Sequence, residues 1–405
     1  MAVVVVATLD TKGREVAFAR DVLRARGVEV HLVDAGVLGE PGIDPDTPAS
    51  EVAAAADTTL EALREAGDRG AAVEAMGEGA AAVCRRLHET GVLDGVLGMG
   101  GSGNTSIATA AMRALPYGVP KLMVSTMASG DVEPYVGARD VMLLYSVADV
   151  EGINQLSRLV LSNAALAMAG MVGGERPDVD DGRTTVGITM FGVTTPCVRA
   201  ARDYLEDRGY ETIVFHATGT GGRAMESLVE EGVIDGVLDV TTTEWADELV
   251  GGVLSAGPDR LEAAGDRGIP QVVSVGALDM VNFGPEASVP PEFDDRLLHV
   301  HNPQVTLMRT TVEENRELGR IVAEKLNAAT GPTALYLPLS GVSALDVEGE
   351  PFYDPTADAA LFEAVREHLD DHVDLVEMET DVNDPGFARA MAAGLDEHVG
   401  DRDGK

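Results

Sequence analysis

Three short segments from the first half of the chain return, in the same order, in its second half. Each lies where a β-rich apolar run meets a helix-like segment. The pairs are ARDVLRARG (19–27) with ARDYLEDRG (201–209), GVLDGVL (91–97) with GVIDGVL (232–238) and, more loosely, YGVP (117–120) with RGIP (267–270). Three matches in one order indicate a duplicated unit, which limits the fold to two related halves.

Each unit alternates apolar runs with helix-like segments. Val3–Val6 is a continuous β-branched run, typical of a strand buried on both faces, and Gly27 ends a helix predicted from Arg14 to Arg26. Further strands are predicted near residues 28–33, 93–97, 121–125, 141–145, 185–190, 212–215, 233–240 and 271–275. This alternation favours parallel sheets with right-handed crossovers. We therefore predict an α/β fold of two related Rossmann-like domains that arose by internal duplication.

The domain boundaries follow from the same pattern. We expect an N-terminal domain over residues 1–176 and a C-terminal domain over residues 185–405, joined by the polar stretch Gly173–Arg183. Residues 50–90 are interpreted as two Ala-rich helices that the second unit lacks. Residues 276–303 are interpreted as a long loop, which in a compact domain is often functional.

The charge balance is strongly acidic. Asp and Glu total 68 against 30 Lys and Arg, giving a net charge of −38, and the lysines stand only at positions 12, 121, 325 and 405. Such a surface suits a cytoplasm of molar salt, where screening relieves self-repulsion, so we expect a halophilic host. A basic protein partner is the alternative. Nucleic acids and anionic membranes are not expected as partners, because they require clustered Lys and Arg.

Targeting and metal-binding signals are not apparent in the sequence. Cys84 and Cys197 are far apart and lack the spacing of a zinc site, so no metal is expected. We find neither a secretory signal pattern nor an apolar run of membrane-spanning length, and we therefore expect a cytoplasmic protein.

Residues Gly98–Gly103 (GMGGSG) fit the pattern G-x-G-x-x-G. They follow a predicted strand and precede a helix predicted to begin near Asn104 or Thr105. Glycines let backbone amides approach a phosphate, and a helix N-terminus adds partial positive charge. No lysine follows the last glycine, so this is not a Walker loop, but Lys12 ends the first strand and offers a charge. A glycine-rich turn without a ligand is the alternative.

A mononucleotide fits this pattern better than NAD. A dinucleotide site expects an acidic residue at the end of the next strand to hold a ribose. The strand after the glycine loop ends instead in Ser125 and Thr126, although Asp34 ends another strand nearby.

The second half offers weaker signals. Ala217–Arg223 (ATGTGGR) follows a strand and opens a helix, which makes it a second candidate anion cradle. His216 and Glu244 form either an acid/base pair or a satisfied histidine beside a helix-capping glutamate. Cys197 falls in the first turn of a helix, where thiolates are stabilised, although a structural role is favoured. Additional polar candidates are Asp279, Asn282, His301 and Asn302.

Several longer motifs carry a family resemblance over roughly residues 3–390. They are TLDTKG, GMGGSGNTS, GITMFGVTTPCV, FHATGTGGRAMESL, GALDMVNFGP and HNPQVTLMRTT. Together they resemble the family of the tomato mosaic virus resistance protein's N-terminal region and its microbial relatives. The resemblance implies an ATP-binding first half and a homodimer. It assigns the nucleotide to Asp10, Thr11, Lys12, Gly36, Arg69, Gly101, Ser102, Gly103 and Asn104. Asn104 stands where that family more often has glycine.

Two functions remain open at this point. The first is an ATP-binding regulatory or scaffold protein whose phosphate site is Gly98–Asn104 with Lys12 and Arg69, with or without magnesium. The second is a nucleotide-dependent enzyme acting on a small metabolite in a cleft between the halves. No spacing identifies a nucleophile or a base.

Overall fold

The computed structural model describes residues 1–175 and 182–403, with side chains described up to residue 400. The chain divides into two compact units, residues 1–178 and 179–405. Most of the predicted linker, residues 176–181, lies outside the described residues, as does Lys405.

The N-terminal unit is built on a parallel five-stranded sheet of order β2-β1-β3-β4-β5. Its strands are β1 Ala2–Ala7, β2 Glu29–Asp34, β3 Gly95–Gly100, β4 Lys121–Ser125 and β5 Met142–Tyr145. Its helices are α1 Leu9–Arg24, α2 Ala49–Ala54, α3 Leu60–Ala66, α4 Arg69–Glu89, α5 Ser102–Arg113, α6 Glu133–Val136 and α7 Gln155–Gly173. Residues 50–90 thus hold parts of three helices rather than the two predicted.

The consecutive valines of β1 point alternately to the two faces of this sheet, and both faces are covered by helices. Val3 and Val5 pack into a core with α1 and α7, whereas Val4 and Val6 pack into a core with α4 and α5. All four side chains are fully buried. Burial of one such side chain contributes roughly 1.5–3 kcal/mol, which accounts for the continuous apolar run.

The C-terminal unit contains a six-stranded parallel sheet of order β14-β13-β9-β8-β6-β7 and an antiparallel sheet of order β10-β12-β11. The strands are β6 Thr185–Met190, β7 Glu211–His216, β8 Gly236–Thr241, β9 Gln271–Gly276, β10 Met280–Phe283, β11 Leu298–Asn302, β12 Val305–Arg309, β13 Thr333–Pro338 and β14 Asp374–Met378. The helices are α8 Thr195–Glu206, α9 Thr220–Glu230, α10 Glu244–Val250, α11 Ala263–Arg267, α12 Val312–Asn327, α13 Pro355–His368 and α14 Pro385–Asp403. The predicted loop over residues 276–303 is wrong, because this stretch contains β10, two short 3-10 turns and β11.

The repeated segments play the same structural role in both units. The aspartate of GVLDGVL, Asp94, accepts a hydrogen bond from Ala2 N at 2.7 Å. Its counterpart Asp235 accepts one from Thr185 N at 2.9 Å. In each unit this carboxylate therefore joins the start of the first strand to the strand that pairs with it. The shared strand orders, β2-β1-β3-β4 and β7-β6-β8-β9, agree with the predicted duplication.

Helix α7 has the length and composition of a membrane span, alone among the helices described. This criterion uses length and composition alone, and core helices of soluble proteins also meet it. Leu161, Ala165 and Met168 of α7 are buried against the sheet of the N-terminal unit.

Candidate functional site

A cavity of the N-terminal unit lies at the carboxyl ends of its strands. In the order β2-β1-β3 the chain leaves β1 and β3 toward opposite sides, and ligands of such sheets bind in the crevice between these strand ends. A cavity of about 550 Å³ opens there. Eight of the nine residues assigned by resemblance line it: Asp10, Thr11, Lys12, Arg69, Gly101, Ser102, Gly103 and Asn104. Gly36 does not.

The glycine loop presents a helix N-terminus to this cavity. Helix α5 begins at Ser102 with Gly101 as its N-cap, two residues earlier than predicted. Ser102, Gly103 and Asn104 therefore occupy the first turn, where backbone N–H groups lack intrahelical acceptors. These donors and the helix dipole make the loop suited to an anion.

The glycines of the loop divide into two kinds. A Cβ on Gly98 would lie 2.6 Å from both Ala108 Cβ and Met123 Sδ, and Gly100 has a φ of +153°. These two glycines serve packing and backbone geometry. A Cβ on Gly101, in contrast, would have only Thr126 Oγ1 within 4 Å, at 3.9 Å. The backbone at Gly101 is therefore exposed toward free space.

The side chain of Asn104 is used within the protein. Its Oδ1 accepts a hydrogen bond from Thr8 N at 3.1 Å, and its Nδ2 donates to Met99 O. Asn104 thus joins the ends of β1 and β3 at the floor of the crevice. Its side-chain amide is engaged on both sides, so its contribution toward a ligand is its backbone N–H.

Gly36 supports the site from behind Asp10. A Cβ at residue 36 would lie 2.7 Å from the Asp10 carboxylate, so only glycine leaves room for it. Asp10 Oδ2 accepts hydrogen bonds at 3.1 Å from both Leu38 N and Gly39 N, while its Oδ1 is buried without a partner among the described residues. Asp10 therefore fixes the loop after β2 against the start of α1.

Asp34 is not placed to hold a ribose. Its Oδ1 accepts hydrogen bonds from Leu9 N and Gly36 N, both at 2.9 Å, and the residue is 3% exposed. Burial raises the pKa of this carboxyl above its usual value, partly offset by the two N–H donors. Asp34 stabilises the turn after β1 and is shielded from the cavity.

Three cationic side chains line the cavity. Lys12 lies in the first turn of α1, and Arg69 is the first residue of α4, with its Nη2 3.8 Å from where a Cβ on Gly103 would lie. Arg64 also lines the cavity, and its Nε donates to Val37 O at 2.5 Å. The alanine-rich insertion predicted between β2 and β3 thus brings two arginines to the site.

One wall of the cavity is apolar. Val37 follows β2, Leu63 lies on α3, Val73 on α4 and Ile107 on α5. Sequence reasoning did not identify this wall, because its members come from four segments without a shared motif. Asp149, from the loop after β5, also lines the cavity and was missed for the same reason.

The second candidate anion cradle is filled by a side chain of the protein. Glu244 Oε1 accepts hydrogen bonds from Gly219 N at 2.7 Å and Gly222 N at 3.0 Å, and its Oε2 accepts one from Arg260 Nε at 2.7 Å. A Cβ on Gly222 would lie 2.2 Å from Oε2, so the glycine is needed for the carboxylate. Glu244 therefore occupies the position that a bound anion takes in such loops. His216 is exposed and its ring lies against Phe191 with centroids 5.6 Å apart, and among the described residues it forms no hydrogen bond with Glu244.

Buried threonines join the carboxyl ends of β6 and β8. Thr194 Oγ1 and Thr241 Oγ1 are hydrogen-bonded at 2.7 Å, and Thr189 Oγ1 donates to Asp239 at 2.6 Å. All four residues are at most 1% exposed. The equivalent position in the N-terminal unit is open and lined by glycine.

The other polar candidates of the second half do not form one group. Asp279 and Asn282 are buried; Asp279 accepts from Ser343 Oγ at 2.8 Å, and Asn282 Nδ2 donates to Asp247 at 2.7 Å. His301 and Asn302 are exposed on β11. Among the described residues no group of three or more side chains is arranged to hold a metal ion.

Both cysteines are buried, which decides their chemistry. Burial raises the pKa of the Cys84 thiol to about 12 and that of the Cys197 thiol to about 12. Cys197 stays a protonated core residue despite its place in the first turn of α8.

Comparisons with known proteins cover both units. The N-terminal domain of "Uncharacterised protein family (UPF0261)" matches residues 1–177, and its C-terminal domain matches residues 183–399. A UPF0261 protein of Clostridium tetani is 54% identical over 97% of this chain and 98% of its own length. The ToMV resistance protein Tm-1(GCR237) of Solanum lycopersicum is 49% identical over 80% of this chain and 44% of its own length.

Among solved structures, the spinosyn rhamnosyltransferase SpnG is 13% identical over 99% of this chain and 96% of that chain, with a TM-score of 0.22. A score this low carries no functional argument. The family matches span both units, and the two relatives are 54% and 49% identical to this chain over the aligned residues. The chain therefore belongs to the UPF0261 family.

Proposed function

We propose that the N-terminal unit binds a mononucleotide, ATP, with its phosphates on the loop Gly101–Asn104 beside Lys12 and Arg69. One observation carries the proposal: a single cavity joins a helix N-terminus, cationic side chains and an apolar wall. These are the three environments that phosphates and a purine base require.

The cavity has the size of a ligand site. Its volume of about 550 Å³ falls within the range of roughly 300–1,000 Å³ that small-molecule sites occupy. The base would lie against Val37, Leu63 and Val73, on the β2 side of the glycine loop. The phosphates would lie at the first turn of α5, within reach of Lys12 on α1 and Arg69 on α4.

A mononucleotide is favoured over a dinucleotide. The carboxylate that ends β2, Asp34, is shielded and bonded to two backbone N–H groups, so it does not offer the ribose contact of a dinucleotide fold. The strand after the glycine loop ends at Ser125, whose Oγ is hydrogen-bonded to Thr105 Oγ1 at 2.7 Å. Neither strand end offers a free acidic group.

The contacts of the C-terminal unit do not specifically favour the alternative of a nucleotide-dependent enzyme. In the C-terminal unit Thr241 and Glu244 are buried and bonded within the protein, and among the described residues no hydrogen bond joins His216 to Glu244. We therefore propose ATP binding without assigning a reaction.

The test is isothermal calorimetry of ATP with the wild type, Lys12→Ala and Gly101→Val, in a KCl-rich buffer that keeps so acidic a chain folded. Gly101 has an extended backbone (φ −84°, ψ −165°) that valine adopts readily, and the space beside it is open. We expect each variant to lose at least about tenfold in affinity, about 1.4 kcal/mol.

Two matched variants control for nonspecific effects. Arg14→Ala removes an exposed cation of α1 that does not line the cavity, and Gly170→Val fills open space on α7. Both are expected to bind ATP like the wild type. A wild type that binds neither ATP, ADP nor AMP contradicts the proposal.

A further inference from the structure

The charges lining the cavity cancel, although the proposed ligand is a polyanion. Lys12, Arg64 and Arg69 stand against three carboxylates, those of Asp10, Asp68 and Asp149. The chain as a whole carries a net charge of −38. Metal-free ATP would therefore enter a cavity without net positive charge in a strongly negative protein, which disfavours binding.

Two of the three carboxylates are committed to the protein. Asp68 is the N-cap of α4, and its Oδ1 accepts hydrogen bonds from Gly70 N at 2.8 Å and Ala71 N at 3.1 Å. Asp10 Oδ2 holds the loop after β2 by two backbone N–H groups. Within the part of the chain that the structure describes, Asp149 accepts no hydrogen bond and forms no ion pair. Of the three, it is the carboxylate with neither oxygen bonded to the protein.

The strand order places β5, the strand before Asp149, on the side of the glycine loop away from β2. In the order β2-β1-β3-β4-β5, the apolar wall begins with Val37 after β2, the glycine loop follows β3, and Asp149 follows β5 at the opposite edge. A nucleotide with its base on the β2 side and its phosphates at Gly101 would direct its terminal phosphate away from β2. That phosphate would lie in the part of the cavity that Asp149 lines.

The loop that carries Asp149 is anchored on both sides of it. Ser146 Oγ donates to Ala148 O at 2.6 Å, just before Asp149. Three residues after Asp149, Gly152 N donates to the carboxylate of Glu15 on α1. Asp149 is itself exposed, so its carboxylate is held near the cavity and remains accessible.

We propose that Asp149 is the protein ligand of a divalent cation, Mg²⁺, bound together with the terminal phosphates of the nucleotide. This inference rests on the proposed nucleotide site. Mg²⁺ is usually held by one or two carboxylates together with phosphate oxygens, and it keeps several waters. A single free carboxylate at the phosphate end meets that requirement. The cation also reduces the negative charge of the nucleotide that enters the cavity.

Calorimetry of ATP in excess MgCl₂ and in EDTA tests the inference with the wild type, Asp149→Asn and Glu151→Gln. Glu151 is a matched control, because it is exposed in the same loop and does not line the cavity. We expect MgCl₂ to tighten ATP binding by the wild type and by Glu151→Gln at least about tenfold. Asp149→Asn is expected to lose this increase. In EDTA it should bind ATP as well as the wild type or better, because one repelling charge is gone.

The outcomes separate this inference from the proposed function. If the wild type binds ATP equally in MgCl₂ and EDTA, or if Asp149→Asn keeps the full increase, the role of Asp149 is wrong and nucleotide binding stands. If Asp149→Asn loses affinity equally in both buffers, its role is structural and the inference is also wrong. If the wild type binds no nucleotide in either buffer, the proposed function itself fails.

Discussion

At the residue scale, Asn104 and Asp149 show opposite relations between sequence and site. Asn104 stands in a glycine motif and was assigned to the ligand, yet its side chain bonds to Thr8 N and Met99 O. Asp149 belongs to no motif and still lines the cavity, because the order of strands brings the loop after β5 to the same edge. A sequence motif identifies the backbone that meets a ligand, whereas such tertiary neighbours require the fold.

A buried cluster around Arg309 gives a pH-dependent prediction. Arg309 Nη2 lies 2.6 Å from Asp358 and 3.3 Å from Asp346, and Asp279 belongs to the same charge network. Three carboxyls share one guanidinium. Burial, together with the neighbouring carboxylates, raises the pKa of Asp346 to about 9. Burial also raises the pKa of Asp279 to about 6.

The raised pKa of Asp346 in the folded protein determines how the free energy of unfolding changes with pH. An unfolded aspartate titrates near 3.8, so the folded state holds a proton that the unfolded state releases. The contribution of the protonated Asp346 carboxyl to the free energy of unfolding is fully present below pH 3.8. It is lost as the pH rises through about 9. The slope is at most about 1.4 kcal/mol per pH unit for this group. We expect Asp346→Asn, which mimics the protonated carboxyl, to flatten this loss.

Urea unfolding at several pH values between 3.8 and about 9 measures this change in the free energy of unfolding. Asp371→Asn, at an exposed aspartate, serves as the control and should keep the wild-type slope. An Asp346→Asn variant whose free energy of unfolding falls with pH as steeply as that of the wild type contradicts the prediction.

At the element scale, the two glycine loops have diverged. The loop before α5 leaves its N–H groups to the cavity, whereas the loop before α9 gives Gly219 N and Gly222 N to Glu244. We expect Glu244→Ala to destabilise the protein by roughly 3 kcal/mol, because it leaves these donors and Arg260 Nε without their acceptor. Formate, a carboxylate small enough for the vacated position, should recover part of the loss.

Thermal unfolding in sodium formate and in sodium chloride of equal ionic strength measures this recovery. Glu230→Ala, which removes an exposed glutamate of α9, should melt like the wild type in both salts. Equal melting temperatures of Glu244→Ala in the two salts would mean that the loop is not an anion cradle.

The environment of each strand explains whether the sequence predicts it. Strands β4 and β6 match their predicted bounds, because each is a short apolar run after a turn signal and is buried in a parallel sheet. The antiparallel strands β10 and β11 were hidden in residues 276–303, where glycine and proline suggested a loop. Strands β13 and β14 lie beyond the last repeated segment, so the duplication gave no guide to them.

At the scale of the whole molecule, the two units share a topology but differ at the carboxyl ends of their strands. The crevice of the N-terminal unit is open and lined by Lys12 and the glycine loop. At the corresponding strand ends of the C-terminal unit, the buried side chains of Thr194 and Thr241 are hydrogen-bonded to each other. We expect this chain to bind one nucleotide rather than two, since among the described residues the glycine loop before α5 keeps its backbone donors free, whereas Gly219 N and Gly222 N donate to Glu244.

The most direct test of this account is photolabelling of the full chain with an azido analogue of ATP, followed by peptide mapping. The account predicts one label per chain, in peptides that contain Val37, Leu63 or Val73, and its loss in excess ATP and in Gly101→Val. Labelling that ATP displaces from residues 182–403, or none that ATP displaces anywhere, would contradict the assignment of the nucleotide to the N-terminal unit.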